Sequence, residues 1–515
     1  MSALLLPQTP LLGEEIILEL DIKREDSQPF QKENSNSSSN HNMDPAIVGS
    51  SQFGQLFKTA LPGNYNGAAE QVFSQPLVYT TSDGVQYVYL ATTQNNLYKI
   101  DAKTGNIVMQ KNLHIPFLTA DLSGCVDINP HVGVTATGVI DPDTDTLYLT
   151  AKTYENQNGG VGVAQGRPNG RYYFHAIDVN DLSERAGFPV DLEGTVARNN
   201  PVRSFNGGIH HQRPALLHSG QYIYAGFASH CVQYNFTGWL MGWDKTTGAI
   251  VERYATEGAG VPNTTPGGGI WMSGGGLASD DAGSLFFASG NGYASQLSTI
   301  PVNGRNPPTS LEEAAVHMTI NDDGSLTIVD FFMPWEKTQL DGADRDLGTS
   351  PLELLPSEFS CGDYKRIGVV TGKSGKTYWL NLDNLGGYQN GPNKLDDIIQ
   401  VYQNENSVYA GAGVYPLEGG YIYINGKHPP FTAMGRETNW PQSSNILPTF
   451  SSSHAIMEFL PLPRSPTPRP IMPTSLASAM VPLPLSTEKL ALVLSGRATL
   501  TDRISECITP YQKMA

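Results

Sequence analysis

Apolar and polar residues alternate along most of this chain in short runs that end at small-residue turns. The segment YVYLATTQNNLYKIDAKTGNIV, Tyr87–Val108, holds the unit in its plainest form: two β-rich runs joined by a turn, the second closed by Asp and then Thr-Gly. Further copies follow. LYLTAKTY with YYFHAIDVNDLSERAG is one, and YIYAGFASH with GWLMGWDKTTGAIVERY is another. LFFASGNGYAS with HMTINDDGSLTIV and IGVVTGKSGKTYWLNLDNLGG complete the series. A period of two puts one face of each run into a core and leaves the other outside. Asp-x-x-Thr-Gly closes a hairpin because Asp caps the turn and Gly takes the positive φ. Short strands recurring at intervals of tens of residues are the pattern of propeller blades, so the prediction is an all-β propeller with about five to six blades in frame. The turn residues fold those blades and carry no chemistry.

The alternation fails at both ends. Residues 1–43 are expected to form a disordered lead-in, most clearly at SQPFQKENSNSSSNHN, which is polar and low in complexity. The ordered body is placed at 44–425. From Gly426 to Ala515 the chain is rich in Pro and Ser and has no period of two. That tail reads either as the product of a shifted reading frame or as a disordered extension. A ring short of blades would leave open strand edges.

Composition narrows the function classes. With 53 Gly, 36 Pro and only 16% charged residues among 515, the chain is poor in helix formers and suits strands joined by tight turns. A net charge of -17 argues against nucleic-acid partners, which need basic patches. No run of about 18 apolar residues exists, so no membrane span is expected. Cys125, Cys231, Cys361 and Cys507 are too scattered for a disulfide scaffold or a CxxC zinc site and allow one or two bridges at most. Sequons at Asn36, Asn235 and Asn263 fit a secreted glycoprotein, whereas the start MSALLLPQTPLLGEEIILELDIKRED lacks the basic region of a signal peptide.

The Asp-x-x-Thr-Gly repeats, over roughly Asp44 to Asn425, resemble the pyrroloquinoline-quinone-type repeats of the quinoprotein alcohol dehydrogenase superfamily. TATGVIDPDTDTLYLTAKTY, QRPALLHSGQYIYAGFASH, GGGIWMSGGG and KTYWLNLDNLGG are similar to secreted fungal and bacterial quinoprotein-like propellers. The resemblance implies pyrroloquinoline quinone and calcium as cofactors and a small-molecule alcohol or sugar as substrate. In that family a Gly-Gly-Gly segment leads to a tryptophan under the planar quinone, and a following Gly-Asn turn gives a calcium ligand. Trp271 and Asn291 match. A flat indole suits a flat cofactor, and an amide oxygen suits a hard cation. Lys373, in TGKSGKTYWLNLD, matches a lysine that contacts the quinone oxygens, where a cation would stabilise developing negative charge. Each has a plain structural alternative: a tryptophan packed between blades, a turn asparagine and a solvated hairpin lysine.

The chain also departs from the family pattern. His230 and Cys231 stand where the dehydrogenases carry a glutamate ligand, and imidazole suits softer metals than calcium. The adjacent-cysteine disulfide of many dehydrogenases is absent. Of the aspartates in MPWEKTQLDGADRDLG, Asp344 is the first choice for the general base, with Asp341 and Asp346 as alternatives or all three as a solvated loop. His210 and His211 are a further possibility beside His230, but neighbours on a strand face opposite ways, so only one can join it.

Two functions remain open. One is a quinoprotein-type oxidoreductase with Asp344 and Lys373 catalytic, Trp271, Lys373 and Asn291 on the cofactor, and Asn291 and Asp344 on the metal. The other is a non-catalytic propeller binding glycans or proteins, or a defective truncated product. The first requires Trp271, Asn291 and Lys373 to share one cavity near the propeller axis.

Overall fold

The computed structural model describes residues 50, 53–231, 234–292, 304–404, 406–416 and 420–425, together with the backbone of strands Leu4–Leu5, Glu15–Glu19 and Thr432–Gly435. Each repeat read from the sequence supplies the antiparallel middle strands of a separate sheet. In chain order the five second strands are Gln86–Ala91, Thr146–Tyr154, Tyr222–Ser229, Ser284–Ala288 and Ile367–Thr371. Their third-strand partners are Asn96–Asp101, Gly170–Asp178, Trp239–Asp244, Ala315–Ile320 and Lys376–Asn381.

The Asp-x-x-Thr-Gly turns form as their chemistry requires. Asp101 Oδ1 accepts from the Lys103 N–H at 3.0 Å, the Thr104 N–H at 2.8 Å and the Thr104 hydroxyl at 2.9 Å. Asp244 Oδ1 repeats the set on Thr246 and Thr247 at 3.0, 2.8 and 2.8 Å. The glycines that follow, Gly105 and Gly248, have φ of 72° and 73°. One carboxylate thus satisfies the turn donors, and glycine avoids the cost of a left-handed backbone.

Successive sheets pack face to face through apolar side chains. Tyr89 and Leu97 meet Ile140, Leu147 and Ile177. Tyr148 and Phe174 meet Phe227 and Trp243, with the Phe174 and Trp243 rings stacked at 4.2 Å. Tyr224 and Leu240 meet Phe286 and Met318, which continue to Val370 and Tyr378. The first strands, Leu77–Thr80, Val139–Asp141, Leu217–Ser219, Ala278–Ser279 and Glu353–Leu354, touch one another in that order and so line an axis. Radial sheets around a common axis are the all-β propeller expected.

The ends extend beyond the expected boundaries. Glu15–Glu19 pairs with Phe57–Ala60 and with Leu4–Leu5, so part of the span 1–43 is strand. Gly413–Tyr415, Tyr421–Ile424 and Thr432–Gly435 form a last sheet that crosses residue 426. The segment 27–42 and residues 436–515 lie outside the described residues.

Candidate functional site

The glycine-rich stretch after the third sheet and the loops around it open into a cavity of about 500 Å³. Trp271, Asn291 and Lys373 all line it, as do Asp344 and Asp346. Three distant segments therefore meet in one place.

Lys373 organises this side of the cavity. Its ammonium pairs with Asp344 Oδ1 at 3.1 Å and with Asp346, and lies 5.5 Å from the Trp271 ring centre. Burial works against its charge, but Asp346 and Asp344 outweigh that and hold its pKa above the ordinary lysine value. Asn291 is fixed by two donors, its backbone N–H to Asp346 Oδ1 at 2.7 Å and its Nδ2 to Asp344 Oδ1 at 2.6 Å, while its Oδ1 is buried with no partner among the described residues. Asp344 and Asn291, expected as joint metal ligands, are thus hydrogen-bonded to each other. Asp341 is not a cavity residue. It accepts from the Gly292 N–H at 2.7 Å and pairs with Lys337 at 2.9 Å, and both its side chain and that of Lys337 are buried.

Below Gly267 and Gly292 lies a buried acidic layer that the sequence reading missed. Glu257, Glu312 and Glu313 are each at most 1% exposed, and Lys337 bridges Glu312 at 3.0 Å as well as Asp341. A Cβ on Gly292 would fall 2.1 Å from Glu312 Cδ, so glycine is required for the chain to cross this layer. Burial and the neighbouring Glu312 push the Glu257 carboxyl well above the usual range, and burial with Asp346 and Asp341 does the same for Glu313. The signal available was Glu312-Glu313 beside the apolar run AAVHM, acids placed where a strand enters a core.

The opposite wall is basic and aromatic. His211 and His230 stack at 4.6 Å and both line the cavity. His210 faces away, accepting from Trp239 Nε1 at 3.0 Å, as strand alternation requires. Behind His230 the fully buried Lys152 donates to the His210 carbonyl at 2.7 Å and to His230 Nε2 at 2.9 Å. Burial lowers the pKa of Lys152, His211 and His230, so the imidazoles are neutral near pH 7. Arg213 also lines the cavity. Its Nη1 donates to the Phe73 and Thr135 carbonyls at 3.1 and 3.0 Å, and burial lowers its pKa to about 10. No carboxylate pairs with it among the described residues. A desolvated guanidinium without a counter-ion is costly unless a ligand supplies one.

Cys125 and Cys231, 106 residues apart, form a disulfide that lines the same cavity. The adjacent-cysteine bridge is absent as expected, yet a bridge stands in the cavity by a long-range pairing that residue spacing does not reveal. Asp127 lies beside it, 3.4 Å from Cys231 Sγ, and with both sulfurs in the bridge this cluster is not a thiolate metal site.

No family model matches the chain, and no curated protein sequence matches it. Among solved structures it is similar to a quinohemoprotein alcohol dehydrogenase from Comamonas testosteroni, with TM-score 0.45 and 12% identity over 72% of this chain and 53% of that one. A europium-containing methanol dehydrogenase gives TM-score 0.39 and 14% identity over 65% and 53% of the two chains. BamB from Moraxella catarrhalis gives TM-score 0.37 and 12% identity over 72% and 70%. The match thus spans about half the length of the two dehydrogenases, 53% of each.

Proposed function

We propose that the axial cavity binds a flat, anionic quinone and that the protein is a quinoprotein-type oxidoreductase acting on alcohols or sugars. The observation that carries this reading is the convergence of Trp271, Lys373 and Arg213 on one cavity of about 500 Å³, within the size range of small-molecule sites. An indole gives a flat apolar face, and two cations of different reach suit carboxylate and carbonyl oxygens. When bound, the quinone supplies the hydride acceptor that the side chains lack.

The protein's own groups then divide the work. Arg213 and Lys373 hold anionic oxygens, and Trp271 sets the plane of the bound ring. Asp344 takes the substrate hydroxyl proton: Asn291 and Lys373 engage only its Oδ1, leaving Oδ2 without a partner among the described residues, and its side chain is 66% exposed at the cavity. The neutral His211 and His230 offer hydrogen bonds to a polyol without adding charge.

The same residues do not fit a calcium ion. Ca²⁺ takes six to eight oxygens. Here Asp344 and Asp346 both converge on the Lys373 ammonium, which a dication would have to displace. Of the Asn291, Asp344 and Asp346 side-chain oxygens, those left free among the described residues are Asn291 Oδ1 and Asp344 Oδ2, too few for that shell. No step is therefore assigned to calcium. Exposed Asn235 and Asn263, both in sequons, are consistent with secretion.

Calorimetric titration of the protein with pyrroloquinoline quinone in the presence of a chelator tests the reading. Uptake with chelator present, weakened about tenfold or more in Trp271→Ala and Arg213→Gln, is the expected result. No uptake with or without Ca²⁺ would transfer the assignment to a non-catalytic binding propeller. Uptake that depends wholly on Ca²⁺ would overturn the role given to Lys373.

A further inference from the structure

The loop 124–130 is a partition between two cavities. Cys125, Asp127 and Ile128 face the axial one, whereas Gly124, Val126, Asn129 and Pro130 face a second cavity of about 380 Å³. The Cys125–Cys231 bridge anchors the partition from the axial side.

The second cavity differs from the first in charge. Not one Asp, Glu, Lys or Arg lines it, in a protein whose net charge is -17. Its polar groups are Tyr65, Asn66, Thr119, Asn129 and His131. The Thr119 hydroxyl is spent on the Ile128 carbonyl at 2.6 Å. The Tyr65 hydroxyl and the Asn66 and Asn129 amides form no side-chain hydrogen bond among the described residues.

His131 is the less expected member. It is 2% exposed, and its Nδ1 is buried without a hydrogen-bond partner among the described residues. Its ring meets the Tyr65 ring edge-on at 5.3 Å. Burial lowers its pKa to about 4, so the imidazole adds no charge at neutral pH. A buried polar side chain without a protein partner calls for a partner from outside the chain. Leu118, Leu122, Val126 and Pro130 supply apolar surface beside these groups.

We infer that this second cavity is a binding site for a neutral saccharide ring. A sugar ring carries an apolar C–H face for Tyr65 and the aliphatic side chains, and hydroxyls that both donate and accept for the free amides, phenol and imidazole. Ionic ligands are disfavoured because the lining offers no counter-charge. The inference is independent of what the axial cavity binds, since no residue lines both cavities.

Saturation-transfer NMR on the full chain tests it, with methyl glucoside, methyl galactoside and N-acetylglucosamine as probes and glucuronate and benzyl alcohol as comparators. At least one neutral sugar should bind with affinity of about millimolar strength. Val126→Arg should weaken that binding about tenfold or more, because it places a guanidinium at the cavity wall. Val126 is 64% exposed, so this change removes no packing and the variant should keep the wild-type melting temperature. Tyr65→Ala should weaken binding likewise, and Val329→Ala, at an exposed position that lines neither cavity, should not. The inference falls if no neutral sugar binds, or if Val126→Arg and Tyr65→Ala both leave the sugar affinity unchanged. It falls equally if Val329→Ala abolishes binding, or if Val126→Arg weakens glucuronate or benzyl alcohol binding as much as it weakens that of the sugars.

Discussion

Replacing Glu257 by Gln should alter how stability depends on pH, with a sign and size that follow from the buried acidic layer. Glu257 is 0% exposed; its Oε2 accepts from the Ser310 hydroxyl at 3.0 Å, while its Oε1 has no partner. Glu312 Oε1 is equally unpartnered. Both oxygens close on one spot, since a Cβ on Gly267 would lie 2.8 Å from the first and 3.1 Å from the second. Burial and then Glu312 raise the Glu257 pKa well above its ordinary value, with Ser310 and Arg203 pulling the other way. The folded protein therefore binds a proton there that the unfolded chain releases near about pH 4.3. Between those two pKa values the native state holds more protons than the unfolded state. Stability in that window falls as pH rises, by up to about 1.4 kcal/mol per pH unit. A glutamine is neutral in both states and removes the slope, and its amide can donate to Glu312 Oε1. As pH rises from about 5 through that window the variant should thus gain steadily on the wild type. Urea unfolding at several pH values in that range measures the difference, provided the slope with denaturant is unchanged. A difference that stays constant with pH would refute the reasoning, because it would mean that Glu257 carries no extra proton in the folded state.

Three further outcomes are expected. Gly292→Ala should destabilise the protein by about 1–3 kcal/mol in denaturant titration, as its Cβ would meet Glu312 Cδ at 2.1 Å and force the buried Lys337 pair apart. Lys373→Met should cost about 1–3 kcal/mol at neutral pH: Asp346 keeps its bond from the Asn291 N–H, and the exposed Asp344 loses little. Since the raised Lys373 pKa means that the charged form is favoured on folding, this difference should be full at neutral pH and shrink only at alkaline pH, above about 10.4. Replacing Cys125 and Cys231 together by Ala should lower stability by about 2–4 kcal/mol, as the bridge closes a loop of 106 residues, and thermal melts of the variant and the wild type without reductant should show the difference.

The repeats were legible because everything that makes them is local. Period-two alternation in Tyr87–Val108 and its sister segments fixes the strand faces, and Asp101 and Asp244 close their turns through contacts two to three residues away. Trp271, Asn291, Lys373 and Asp344 could be named from the sequence only through motif resemblance. Their meeting depends on where five sheets stand around an axis. What no local pattern carries is the pairing of Cys125 with Cys231, the unpaired guanidinium of Arg213, or the layer of Glu257, Glu312 and Glu313 under two glycines. Each is defined by distance between segments far apart in the chain and by exclusion from water. The same holds for the charge-free second cavity, which loop 124–130 separates from the first by turning Cys125, Asp127 and Ile128 to one side and Gly124, Val126, Asn129 and Pro130 to the other. A chain alone states which groups it owns; burial, which sets whether a carboxylate keeps its proton or an arginine needs a ligand, is a property of the packed fold.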